Sequence, residues 1–194
     1  MPTSDFDSFD ALMAAAMAAS QANEANRAIE GFQRASAVQP SAALPQFMLG
    51  ADFAALGDMN QAETAFANAT RLAPDFPMAR YQLGLLQFSS GRAAVAMLTW
   101  QPLLALPQTD PLPHFIHGFA ALAQDQFDEA LAHYEHGLTL NTTNAALSSD
   151  IQKVIDGIRS LRHSTVQSES AEDVPDESSA HILLANYQQQ GHVH

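Results

Sequence analysis

The sequence predicts an all-α protein: four helix-turn-helix units in tandem, closed by a C-terminal capping helix. Three observations predict it. Residue chemistry recurs along the chain at a spacing of 34. Alanine, the best helix former, is abundant, while valine and isoleucine are sparse before the last quarter. A residue type that tolerates left-handed backbone stands at the same place in every unit.

The units span residues 9–42, 43–76, 77–110 and 111–144 and align without a gap. One column reads Ala28, Ala62, Ala96, Ala130, and a large ring follows four residues later: Phe32, Phe66, Trp100, Tyr134. An earlier column holds Ala16, Gly50, Gly84 and Gly118. Two antiparallel helices that approach closely need this chemistry. A small residue on the first faces an alanine on the second, and the ring fills the space beside that contact. Asn23, Gly57, Gly91 and Asp125 join the two helices of each unit. Asp58 with Gln61 reads as a capping box, and Asp110 as an N-cap. Pro77 and Pro111 open first helices, where a missing N–H costs nothing, and Pro40, Pro74 and Pro107 close second helices. Pro102 falls inside the second helix of unit three and predicts a kink around residues 97–103.

After the repeats, Leu147, Ile151, Val154, Ile155, Ile158 and Leu161 form one helical stripe opposite Asp150, Lys153, Asp156 and Arg159. A stack of repeats needs such a half-polar helix over its last face, and 145–162 supplies it. Residues 1–8 are an N-terminal extension. The Ser, Glu and Asp of 163–177, with Pro175, read as a disordered acidic linker. In the C-terminal segment 178–194, Ala180, Leu183, Leu184 and Tyr187 share a face of a short amphipathic helix.

Leu49-Gly50, Phe53, Gly57, Ala62, Phe66, Ala69 and Pro74 resemble a nearly complete tetratricopeptide consensus. Unit three matches with Leu83-Gly84, Gly91, Ala96 and Trp100. Units one and four depart from it, with Ala15-Ala16, His117 and Thr142 where Leu-Gly, Leu and Pro are usual. The resemblance covers 9–144, about 70% of the chain. It implies a right-handed α-solenoid that binds a protein in a concave groove lined by first helices. Carried over residue by residue, that groove comprises Met13, Met17, Leu44, Phe47, Met78, Tyr81, Leu85, Phe88, Leu112, Phe115, Phe119 and Leu122. These are large hydrophobes at positions the within-unit packing columns do not use, and exposed they would mark a binding surface. The Lys, Arg and Asn clamp with which some family members grip chaperone C-termini is missing, which excludes an Hsp70/Hsp90 co-chaperone role. Small acidic repeat chaperones of type III secretion are similar in size, acidity and groove polarity.

The remaining signals narrow the function class. A net charge of −13 disfavours nucleic acid and anionic membranes as partners. Without cysteine there is no disulfide and no thiolate site. The apolar run 11–19 follows Asp5, Asp7 and Asp10 rather than a basic region, so it is not read as an export signal, and a cytoplasmic protein is expected. His114 with His117, and His133 with His136, form two one-turn pairs that could in principle hold zinc or nickel. The first pair sits in packing columns, the second is expected to point outward, and no third ligand is placed. No metal, cofactor or catalytic motif is therefore expected. The reading is an interaction module, an adaptor or chaperone, that holds an apolar peptide or helix of a protein partner. The alternatives are a structural scaffold that assembles or self-associates and, remotely, a metal-dependent enzyme at the histidines. Ile182, Leu183, Leu184 and Tyr187 are further expected to dock into an apolar groove, their own or a neighbour's.

Overall fold

The computed structural model describes residues 8–168, and among these there are nine α-helices, one 3₁₀ turn and no strand. The order is α1 (Phe9–Gln21), α2 (Ala25–Val38), α3 (Ala43–Ala55), α4 (Met59–Leu72), α5 (Pro77–Ser89), α6 (Ala93–Trp100), the 3₁₀ turn (Gln101–Ala105), α7 (Pro111–Leu122), α8 (Phe127–Leu140) and α9 (Ala145–Ser168). The chain divides into two compact units, Met1–Leu86 and Gln87–His194, with the boundary inside α5.

The turn chemistry sets the hairpins. Asn23 (φ 58°) and Asp125 (φ 55°) are the described non-glycine residues at positive φ, and Gly57 and Gly91 take φ 79°. All four sit between the two helices of a repeat, where left-handed backbone ends the first helix. The Asp58 carboxylate accepts from the Gln61 N–H at 3.1 Å and from its Nε2 at 2.8 Å. The Gln61 side chain thus meets the capping carboxylate rather than the backbone, so the box is half-formed. Asp110 Oδ1 accepts from the Leu112 N–H at 2.9 Å and starts α7.

In the first unit α1 packs on α2, α2 on α3, and α3 on α4. Its core contains Leu12, Met13, Ala28, Phe32, Leu49, Phe53, Ala62 and Phe66. The ring expected beside the small column lies directly against it. A Cβ on Gly50 would lie 2.6 Å from the Phe66 ring, and Ala16 meets Gly31 instead. Polar ties join the two repeats. The Ser20 hydroxyl donates to Asp52 Oδ1 at 2.7 Å, and Gln46 Nε2 donates to Ser36 Oγ at 3.0 Å.

The second unit is built on rings. Trp100 stacks on Phe88 (centroids 5.9 Å apart) and on Phe119 (5.3 Å), and Phe119 meets Tyr134 edge-on at 5.2 Å. The bend expected at Pro102 is a change of helix type. With no N–H to give the preceding turn, α6 stops at Trp100 and Gln101–Ala105 winds as a 3₁₀ turn. Helix α9 buries Leu147, Ile151, Ile155 and Ile158, each at most 4% exposed, and packs on α8. Its start is fastened by Asn144, whose Oδ1 accepts from the Leu147 N–H at 3.0 Å. The helix runs to Ser168, six residues past the expected end at 162. Residues 163–168 contain neither Pro nor Gly, and extending a formed helix costs little.

Candidate protein-interaction surface

Of the twelve residues expected to line a groove, seven are buried: Met13, Tyr81, Phe88, Leu112, Phe115, Phe119 and Leu122. They are core, and the expectation that they face solvent is corrected. The reason is visible in the second unit, where one repeat's first helix must fill the space beside the next. Phe88 and Phe119 lie 5.1 Å apart and both stack on Trp100. Phe115 lies over Gly137, so close that a Cβ there would sit 2.5 Å from its ring. Packing between repeats claims Phe119, which meets Phe88 and Trp100 of the preceding repeat, while Phe115 is claimed by the second helix of its own repeat.

The other five all lie in the first unit. Met17 on α1 is 38% exposed and Leu44 on α3 is 45% exposed, while Phe47, Met78 and Leu85 are half-buried. Phe47 is braced against Phe66 (5.7 Å) and Phe76 (4.9 Å), so it presents a rigid aromatic edge. Ala51 beside it is exposed. The first helices of this unit thus carry apolar side chains to the surface on a buried aromatic base.

The sequence reading missed two features. Asp52 is only 6% exposed, and its Oδ2 has no hydrogen-bond partner among the described residues. Burial pushes its carboxyl above the usual carboxylate range, partly offset by the Ser20 hydrogen bond. The second feature is a patch on α6 and the 3₁₀ turn, where Leu98 is 75% exposed, Val95 42% and Leu104 39%. Spacing held the clue. Val95 and Leu98 are one turn apart, off the face defined by Ala96 and Trp100.

The histidines pair across helices rather than along them. His114 meets His136 edge-on with ring centroids 4.4 Å apart, and His117 lies 5.3 Å from His133. The expectation that the second pair points outward holds for His136 and not for half-buried His133. Among the described residues no group of three or more His, Cys, Asp or Glu converges as a metal site would. No described helix is long and apolar enough to cross a membrane. Ile182, Leu183, Leu184 and Tyr187 lie outside the described residues.

No protein-family model matches the sequence, and no curated protein matches it. Solved structures do. The chain is similar to Cut9 in the APC/C hetero-tetramer Cut9–Hcn1, at 20% identity and TM-score 0.70 over 96% of this chain and 33% of that one. It is similar to residues 41 to the end of MamA from Desulfovibrio magneticus RS-1, at 15% identity and TM-score 0.60 over 94% and 92% of the two chains. It is also similar to YrrB, described as a TPR protein with an unusual peptide-binding site, at 18% identity and TM-score 0.58 over 95% and 94%. Together with the helical hairpins and their turns, these likenesses show an all-α tetratricopeptide-repeat fold.

Proposed function

We propose that this chain, a tetratricopeptide-repeat fold, is a protein–protein interaction module. Its partner surface comprises the exposed apolar side chains on the first helices of the first unit. Met17 and Leu44 are the contacts open to a ligand, with Phe47, Met78 and Leu85 beside them. The ligand is an apolar peptide segment or helix, and the role that of an adaptor or chaperone. One observation carries the reading. The same sequence that buries its large first-helix hydrophobes in the second unit leaves Met17 and Leu44 more than a third exposed in the first. Such exposure is costly in water unless a partner covers it. Peptide binding described for YrrB is consistent with this use of the fold.

The test is selection of binding peptides from a displayed library, followed by affinity measurement with the double variant Met17→Glu, Leu44→Glu. Both positions face water, so the circular-dichroism spectrum should be unchanged while the affinity falls at least about tenfold, as loss of a central apolar contact gives. Affinity within about twofold of wild type would remove the site from the first unit.

A second reading, a self-assembling scaffold, is favoured by the Val95, Leu98 and Leu104 patch. It predicts concentration-dependent association in analytical ultracentrifugation that Leu98→Ser abolishes. A monomer at all concentrations dismisses it.

A further inference from the structure

Four of the eight histidines in the chain stand together between two helices, and nothing in the binding reading uses them. His114 and His117 are on α7, and His133 and His136 on α8. The centroid separations of 4.4 and 5.3 Å leave no room for water between the rings of either pair. The helices are also locked in close approach here, because a Cβ on Gly137 would lie 2.5 Å from the Phe115 ring and 3.3 Å from the His114 Cβ. His114 Nε2 lies 3.0 Å from the Gln108 carbonyl. A carbonyl only accepts, so Nε2 carries the proton and Nδ1 is where a second would go.

Little negative charge balances this cluster. Helix α6, the 3₁₀ turn and α7 contain no Asp, Glu, Lys or Arg. Asp110, at the start of α7, is engaged by the Leu112 N–H. On α8, Asp128 is paired with Arg162 of α9 and Glu135 with Arg159 at 2.8 Å. Asp150 is paired with Lys153 on α9, and Asp156 accepts from Gln152. Asp125 is exposed in the α7–α8 turn. Glu129, one turn before His133, is the carboxylate that acts on His133.

We propose that the α7–α8 histidine cluster is a pH-sensitive clasp, closed while its imidazoles are neutral and loosened when mild acid charges both members of a pair. One proton per pair is tolerable, since a neutral ring can face a charged one. Two place like charges in contact at a helix interface that cannot yield without surrendering the Phe115 and Tyr134 packing. The known direction at His133 agrees. Burial pushes its pKa below 6.5, His117 adds to the effect, Glu129 opposes it, and His114 and His136 lower it further. The sign follows from linkage. The unfolded chain takes this proton more readily than the folded one, so stability is full above about pH 6.5 and falls as pH drops through that value.

Trp100, the single tryptophan, is fully buried in the same unit and reports its melting. The experiment follows Trp100 fluorescence during thermal unfolding at pH 7.5 and pH 5.5 for the wild-type chain and for His117→Gln, His133→Gln. Wild type should lose about 5–10 °C more than the variant between the two pH values. Should the double variant fail to fold at pH 7.5, His117→Gln alone, at an exposed position, should lose nearly all of the excess shift, since the pair can then carry only one proton. Imidazole proton NMR adds a readout that a packing role would not move. In His117→Gln the His133 midpoint should rise toward 6.5. Equal shifts in wild type and variant, or a His133 midpoint unchanged by His117→Gln, overturn the clasp.

Discussion

The two units use one repeat pattern to opposite ends. In the first, neighbouring repeats are tied by polar contacts, Ser20 to Asp52 and Gln46 to Ser36, and Met17 and Leu44 remain in water. In the second, the equivalent first helix turns Leu112, Phe115, Phe119 and Leu122 inward, and Phe119 closes over Trp100. Apolar exposure moves to Val95 and Leu98 on the outer face of α6. Residue type at a column therefore does not decide between surface and core. What decides is how much volume the next repeat needs filled.

The largest expected effect lies at the end of the second unit. Truncation after Asn144 removes Leu147, Ile151, Ile155 and Ile158, each contributing about 1.5–3 kcal/mol by burial. That sum approaches the whole stability of a domain. The truncated chain should aggregate or lose the sharp Trp100 melting transition in fluorescence. A soluble product that melts cooperatively would show that α9 is dispensable.

Next comes the ring cluster. Phe119→Ala should destabilise the second unit by about 3–5 kcal/mol, read by urea unfolding of Trp100 fluorescence. Tyr81→Glu and Phe115→Glu, which would be binding variants if these residues faced a groove, should unfold the protein, because both side chains are fully buried. A smaller loss of about 1–3 kcal/mol is expected for Gly118→Ala, whose Cβ would fall 2.5 Å from Tyr134 Cε1. Little change there would mean that the Tyr134 ring can move aside.

The units should also answer acid with opposite signs. Asp52 has a raised carboxyl pKa, so the folded first unit holds that proton more tightly than the unfolded chain. Its stabilising share is full below 3.8 and is lost as pH rises through the folded value. His133 works the other way, losing stability as pH falls through 6.5. Denaturation followed by the methyl signal of buried Met13 for the first unit and by Trp100 for the second should show the divergence, and Asp52→Asn should flatten the first response. Parallel responses would break the comparison. The smallest effect is at Leu98, where Ser should change stability by no more than about 0.5 kcal/mol because the side chain is already in water.

Much of the fold was legible because the repeat writes its turns and close contacts in residue types that have few substitutes. Asn23, Gly57, Gly91 and Asp125 marked left-handed turns, and Pro102 marked a break in the helix, read as a kink and found as a change to a 3₁₀ turn. The site was legible only in part. Phe88 and Phe115 look like surface residues when each first helix is considered alone, and only the second helix packed on it, with Trp100 over Phe88 and Gly137 under Phe115, makes them core. Asp52 gave no signal, since a single carboxylate in an apolar helix looks like any solvated charge until its burial is known. The extension of α9 past 162 was hidden by composition. Ser, Thr and Gln weaken a helix without stopping one that Ile151, Ile155 and Ile158 have already anchored.

The central claim is that the partner surface lies on the first helices of the first unit, and the methionines test it directly. Met17 is exposed and Met78 half-buried on that surface, Met13 is buried beneath it, and Met97 is half-buried on α6 in the second unit. Carbon-13 methyl spectra should be recorded while a library-selected apolar peptide is titrated in. Saturable shifts at Met17 and Met78, with Met97 unmoved, are the predicted result. Shifts at Met97 with Met17 and Met78 unchanged would contradict it and place the partner on the second unit.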